Sequence, residues 1–448
     1  MMSPLGSTID RHRDQLAYDD GKTQIQYGSL QAALDESSIM QLTNIELGDR
    51  IAWSPRNDLE SFLTFWALQQ RGCIACPISS RVSDSKRHEM VEQVNAKWLA
   101  SMLNHEEEVK SKSVNPQIHD DLNRPATLIF SSGSTGQPKA IVHAMSAHLA
   151  SATGASKIIP LNAGNRWLWS LPLYHISGLA ILVRCAIAGA TVVGLPVDRE
   201  LNADVLDELK VTHLSVVMTQ LRRLLAEKTF PSKHLQTVLL GGASMDPQLV
   251  EAARNRGIDV RTTYGLSEMA SQVTTSTGDG TPQASGKLLE NRQLRISPSG
   301  EILVRGKTLA LGYFQDGSVQ SLTNKNGWFQ TNDIGSFNEH SELIVSGRID
   351  NMFISGGENI HAENIERAMT ALFNIKQVIV VPSPDKEFGL RPVAFVDGKL
   401  PSDWRERILQ LLPKYEVPVE IHTWPTKTET EVKPDRIQLK HFVSGETP

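Results

Sequence analysis

Between Ala126 and Gly265, short apolar runs of the kind that form strands alternate with longer stretches whose apolar residues recur at helical spacing. The strand-type runs are Leu128–Phe130, Trp167–Trp169, Thr191–Val193, Leu214–Val217, Val238–Leu240 and Val260–Thr263. Helices are expected from Ser146 onward and over Ile176–Ala188, Ala203–Leu209, Leu221–Glu227 and Pro247–Asn255. This alternation predicts parallel strands joined by crossover helices, and ligands on such sheets gather beyond the carboxyl ends of the strands. Three loops that follow strands, Ser131–Lys139, Gly241–Ala243 and Tyr264–Glu268, are therefore expected to share one cleft.

From Gly286 to Gly347 the helical period stops, and strand-turn segments such as Gly300–Gly306 suggest a small β-rich subdomain. A further unit begins near Gly347, with expected helices Ala362–Leu372 and Asp403–Leu412 and expected strands Gln377–Val381 and Val393–Val396 between them. The fold class is thus α/β. It has a large N-terminal domain of parallel-rich sheets with flanking helices (1–349), followed by a small α+β domain (350–448).

Composition narrows the partners. A chain of 448 residues is too long for one small core and can bury a deep site. Its net charge of -5, with 21% charged residues of both signs, gives no field suited to nucleic acid or an anionic membrane, and neither partner is expected. Cys73 and Cys76 have the spacing of a redox or half-zinc motif, but they lie in the apolar run Gly72–Ile78 without a second cysteine pair. They read as buried strand thiols. No apolar run approaches membrane-spanning length, so a cytoplasmic protein is expected.

The loop after Leu128–Phe130 carries the clearest chemistry. In Ser131-Ser132-Gly133-Ser134-Thr135-Gly136-Gln137-Pro138-Lys139, small and hydroxylated residues let the backbone approach a polyphosphate while the lysine adds charge. A Walker loop would place glycine before the lysine and a hydroxyl after it; here Pro138 and Ala140 flank Lys139. The stretch instead resembles the phosphate loop of the adenylate-forming superfamily, which contains acyl-CoA synthetases, nonribosomal adenylation domains and luciferases.

That resemblance implies roles elsewhere. Tyr264-Gly265-Leu266-Ser267-Glu268 matches the family's Tyr-Gly-x-Ser/Thr-Glu motif, whose acid, here Glu268, binds Mg2+, with Thr135 as a further metal ligand. Trp328–Asp333 is similar to Trp-x-x-Thr-Gly-Asp, with Asn332 in place of glycine and Asp333 placed to bind the ribose of ATP. Gly241, Gly242 and Ala243 look like the adenine shelf, and His175 in Leu171–Gly178 is similar to a histidine beside the acyl carboxylate. Lys433 matches the late Gly-Lys-x-x-Arg segment in its lysine and in Arg436, although Val432 replaces the glycine and Pro434 follows the lysine.

A carboxylate must be activated before it can acylate a thiol, and Lys433 would stabilise charge at the α-phosphorus during adenylation. Gly347–Glu366 resembles the family's hinge segment over its full length. By that likeness Arg348 contacts the nucleotide, Asp350 is the pivot, and Ser355, Gly356 and Gly357 face the channel for the pantetheine of CoA. The C-terminal domain is then mobile, rotating between two poses for two half-reactions.

Arg184 is the one charge in the apolar helical run Ile176–Ala188, and Arg223 in Thr219–Leu225 is a weaker candidate of the same kind. A buried arginine either reaches a structural acid or solvent, or holds a second carboxylate on the substrate. Ser132–His143, Ala147–Ser151 and Pro384–Gly389 resemble the bacterial o-succinylbenzoate-CoA ligases of menaquinone synthesis. Their substrate is an aromatic dicarboxylate; its succinyl carboxylate would be adenylated and its benzoate left for Arg184. Loading of a carrier protein, another acid, or a non-catalytic nucleotide-binding role are the alternatives, and a homo-oligomer is left open.

Overall fold

Residue for residue, Ile176–Ala188 forms a helix and Thr191–Val193 a strand, because the apolar residues of the first cover its whole circumference and the second is three buried β-branched positions. Gly189 ends the helix in the left-handed conformation, at φ 68°. The computed structural model describes residues 6–42, 44–99, 121–131, 138–196, 199–242, 245–373, 375–425 and 436–444.

The expected parallel sheet is present. Arg166–Leu168, Thr191–Val193, His213–Val216, Thr237–Leu240 and Asp259–Leu266 pair in parallel within a nine-stranded sheet. The helices Met145–Ser156, Ala203–Glu208, Met218–Ala226 and Pro247–Arg254 connect or cover its strands. Helix Ile176–Ala188 packs Leu179, Ile181 and Leu182 into the main core beside Trp167 and Trp169, each fully buried. Burial of each such aliphatic chain contributes about 1.5–3 kcal/mol.

One strand departs from the expected layout. Pro125–Ser131 belongs to a separate seven-stranded sheet, where it runs antiparallel to Lys139–Ala144 with Ser131 opposite Lys139. The phosphate-loop segment therefore joins two hairpin strands, not a strand to a helix. Gly312–Gln315 and Ser318–Gln320 also leave the expected β-rich region and extend this sheet, with Tyr313 opposite Ile141. Lys287–Leu288 joins the edge of the nine-stranded sheet, and Arg292–Ile296, Glu301–Gly306, Phe329–Phe337 and Leu343–Arg348 make a four-stranded antiparallel sheet.

Beyond Arg348, the hairpin Met352–Ser355 and Glu358–His361 turns on Gly356 and Gly357, whose φ values are 57° and 91°. Gln377–Asp385, Gly389–Asp397 and Glu420–Thr423 form a three-stranded sheet under helix Ala362–Phe373. Ile360, Ile365, Met369, Val380 and Ala394 give this part a core of its own. The expected helix Asp403–Leu412 is cut to Trp404–Ile408, since only Ile408 finds burial while Leu409 and Leu411 are exposed. A helix at Arg436–Ser444 was not expected from the pattern.

Cys73 and Cys76 are buried and unpaired, and burial pushes the Cys73 thiol up to about 12. They are packing residues, as the apolar run implies. Among the described residues no helix is long and apolar enough to cross a membrane.

Candidate active site

Strand Asp259–Leu266 leaves the parallel sheet and folds back through the single turn Ser267–Met269 into Ser271–Thr275, to which it is antiparallel. The fold-back is tight at Gly265, where an added Cβ would lie 2.2 Å from the Ser271 carbonyl oxygen. Only glycine fits, and this fixes Tyr264 and Glu268 on either side of it. From below, His143 Nε2 lies 2.7 Å from the Ser267 carbonyl oxygen. His143 is wholly buried, and burial depresses its pKa to about 4, so it is a neutral donor.

Asp333 sits 8% exposed on strand Phe329–Phe337. Asn332 before it has φ 59°, the left-handed region that the family's glycine would favour and that asparagine tolerates, so the departure in sequence preserves the turn. One carboxylate oxygen of Asp333 accepts from Tyr264 Oη at 2.6 Å and the other from Arg348 Nη1 at 2.9 Å. Arg348 Nη2 donates in turn to Asp350 at 3.0 Å. Burial raises the Asp333 carboxyl above its usual range, against the opposing pull of Tyr264 and Arg348. Burial also works against the Arg348 charge, but Asp333 and Asp350 outweigh it and its pKa is raised.

Glu268 faces the same opening. Its Oε1 accepts from Tyr313 Oη at 2.7 Å, and the Lys139 ammonium lies 5.3 Å from the centre of the Tyr313 ring. These groups line a cleft of about 1040 Å3 whose walls include Ser131, Ser267, Asp333, Arg348 and Asp350. The far wall comes from the C-terminal part, through Pro382, Leu390, Arg436 and Lys440. Arg436 is held there by Glu366 at 2.7 Å. Ser132, Gly133, Ser134, Thr135, Gly136, Ala243 and Lys433 lie outside the described residues.

Among the described residues no group of three or more His, Cys, Asp or Glu side chains could hold a metal unaided. Magnesium needs no such group, since it takes one or two carboxylates and fills its shell with phosphate oxygens and water. Glu268 is suited to this, because only Oε1 is engaged by Tyr313.

The remaining expected residues lie away from this cleft's lining. Gly241 and Gly242 follow strand Thr237–Leu240 at the same sheet edge, and a Cβ on Gly241 would meet the Thr263 methyl at 2.8 Å. His175 is the N-cap residue of the helix that carries Arg184, is exposed as a residue and makes no side-chain cap; desolvation of the imidazole, and then the Arg81 charge, lowers its pKa. Arg184 is 4% exposed, donates to Gln272 and Ser271, and lies 5.3 Å from the Trp167 ring centre. Its Nε is buried without a partner, and burial lowers its pKa to about 10, still cationic at neutral pH.

Arg223 differs. It is exposed on helix Met218–Ala226, so the reading as a buried anchor for a second carboxylate does not extend to it. Ser355 is buried at the hairpin tip, and the Gly356 amide donates to the Phe388 carbonyl at 2.9 Å. Tyr313 and His143 are contributors that the sequence pattern did not single out. Tyr313 meets a residue 45 positions away and His143 one 124 away, and no local spacing marks such contacts.

Comparison with known proteins agrees with this geometry. A model of the AMP-binding enzyme family matches residues 6–314. The chain belongs to the AMP-binding enzyme family. Among curated relatives of this AMP-binding enzyme, the 2-succinylbenzoate–CoA ligase of Haemophilus influenzae is 39% identical over 337 residues, 72% of each chain. That of Escherichia coli is 34% identical over 433 residues, 94% of this chain and 93% of the relative. A solved Escherichia coli MenE variant with bound OSB-AMS is similar over 100% of both chains, with a TM-score of 0.84 and 30% identity. The Bacillus subtilis o-succinylbenzoate CoA synthetase in complex with OSB-AMP shares the fold, with a TM-score of 0.88 over 98% of each chain at 24% identity.

Proposed function

We propose that the protein is an ATP-dependent acid–CoA ligase that adenylates o-succinylbenzoate with release of pyrophosphate and then forms the CoA thioester, as menaquinone biosynthesis requires. The observation that carries this reading is the single cleft on which Glu268, Asp333, Arg348 and Lys139 converge from four separate segments. Curated relatives named 2-succinylbenzoate–CoA ligase at 34% and 39% identity support the same acid.

Asp333 binds the ribose hydroxyls, and Lys139 with the Ser131–Gly136 segment holds the phosphates. Gly241, Gly242 and Ala243 shelve the adenine. Glu268 and Thr135 would hold Mg2+, which would supply charge neutralisation to the triphosphate when bound. A carboxylate oxygen of the acid bonds to the α-phosphorus while the bond from that phosphorus to the pyrophosphate oxygen breaks. Lys433 meets the charge that accumulates there. The CoA sulfur then bonds to the acyl carbon, and AMP departs with the electron pair of the broken C–O bond.

His175 shapes the pocket around the reacting carboxylate. Arg184 takes the substrate's second carboxylate, because it is a buried cation that donates to the neutral side chains of Ser271 and Gln272. Domains 1–349 and 350–448 rotate about Asp350, so that Lys433 serves the first step and Ser355, Gly356 and Gly357 line the thiol's path in the second. The enzyme works in the cytoplasm on soluble substrates.

The test is pyrophosphate release with o-succinylbenzoate against other aromatic mono- and dicarboxylates, in the presence of CoA or of a phosphopantetheine carrier protein. Release that depends on o-succinylbenzoate, followed by CoA thioester, is expected. Preference for another acid or for the carrier would overturn the assignment.

A further inference from the structure

Tyr313 touches both charged arms of the cleft. Its strand, Gly312–Gln315, pairs with Lys139–Ala144 in the seven-stranded sheet, so its ring stands beside the strand that begins with Lys139. The Lys139 ammonium lies 5.3 Å from the ring centre, a cation–π contact. The hydroxyl reaches the other way, to Glu268 Oε1 at 2.7 Å. Just before this strand, the Ala310 amide donates to the Glu268 carbonyl at 2.8 Å, so one segment grips Glu268 by both backbone and side chain. Burial and the Glu268 charge raise the Tyr313 pKa, so it stays a donor.

We infer that Tyr313 is a positioning residue for adenylation, fixing the Glu268 carboxylate so that its second oxygen is presented to the metal, and seating Lys139 against the same ring. This rests on the reading of Glu268 as the metal acid. A carboxylate left to rotate would offer the metal a mixture of orientations, and Lys139 without the ring would lose one wall of its seat. The segment thereby adds a second tie between the phosphate-loop hairpin and the Tyr264–Glu268 turn, beside the contact of His143 with the Ser267 carbonyl.

The experiment compares Tyr313→Phe, Glu268→Gln and the double variant in acid-dependent pyrophosphate release, with Mg2+ titrated. Tyr313→Phe keeps the ring and should lose about 10- to 100-fold in kcat/KM, with a raised half-saturating Mg2+ concentration. In the Glu268→Gln background the same change should cost less than about twofold, because the two act as one unit. Tyr313→Leu, which also removes the ring, should lose more than Tyr313→Phe, and the excess should vanish beside Lys139→Met. Native Mg2+ dependence in Tyr313→Phe, or full additivity with Glu268→Gln, overturns the inference while leaving the site intact. If Glu268→Gln itself adenylates normally, the metal-acid reading has failed instead.

Discussion

Tyr264 donates its hydroxyl to Asp333 at 2.6 Å, closing a gap of 69 residues in sequence with a hydrogen bond to a buried carboxylate. Together with Arg348 it compensates a charge that burial disfavours. Tyr264→Phe removes one of these two donors and leaves the ring. Since a hydrogen bond to a charged group contributes about 1.5–3 kcal/mol, kcat/KM for ATP should fall by about 10- to 100-fold. The loss should appear in ATP titrations and spare the KM for the acid; a change confined to the acid would contradict the ribose role of Asp333.

Arg184 offers a second separation. It is a buried cation whose Nε lacks a partner, and it sits on a helix that begins beside His175. Arg184→Ala should cost about 2–5 kcal/mol in kcat/KM for o-succinylbenzoate if it pairs with a buried carboxylate. A monocarboxylate analogue without the benzoate acid group should lose far less. Equal losses for both acids would make Arg184 a packing residue.

Much of this was legible because it is local. Ile176–Ala188 and Thr191–Val193 follow directly from apolar period, and the glycine turn at Gly356 and Gly357 from residue type. Glu268, Asp333 and Arg348 could be picked out by motif, and the cleft brings them together. What was hidden depends on pairings across long separations. Ala140–Ala144 carries no pattern of its own that marks a strand until Pro125–Ser131 pairs with it, and nothing local singles out Tyr313 until its strand joins that hairpin instead of the β-rich region. Arg223 is set apart from Arg184 by a local reason, its exposure. Its helix has a strong apolar face formed by Leu221, Leu224 and Leu225, and Arg223 falls on the other side.

The division of labour between half-reactions can be tested at Lys433. If its ammonium acts only on charge at the α-phosphorus, Lys433→Ala should lower pyrophosphate release by about 100- to 1000-fold, the scale for removing one transition-state donor. Thioester formation from supplied acyl-adenylate should stay within about threefold of native, since that step no longer involves the α-phosphorus as electrophile. Equal loss in both assays would refute the two-pose arrangement about Asp350.

The last expectation concerns acid stability and the histidine beneath the site. His143 is wholly buried, touches the Ser267 carbonyl and stacks near His148 with ring centres 5.0 Å apart. Burial lowers its pKa from 6.5 to about 4. Between these values the unfolded chain binds the proton and the native state does not, so stability rises with pH across the window. The contribution is complete above about pH 6.5 and is lost as pH falls towards 4, about 3 kcal/mol in all. His213, lowered to about 4 by burial, and His148, which burial also holds well below the usual imidazole value, act with the same sign. His143→Gln keeps an amide N–H able to reach the Ser267 carbonyl but cannot titrate, so unfolding free energy measured by denaturant from pH 7 to 4 should decline with a slope shallower by about one proton. If the variant and the native protein lose stability in parallel, His143 is already protonated in the folded state, and the neutral donor assigned to the floor of the Glu268 turn does not exist.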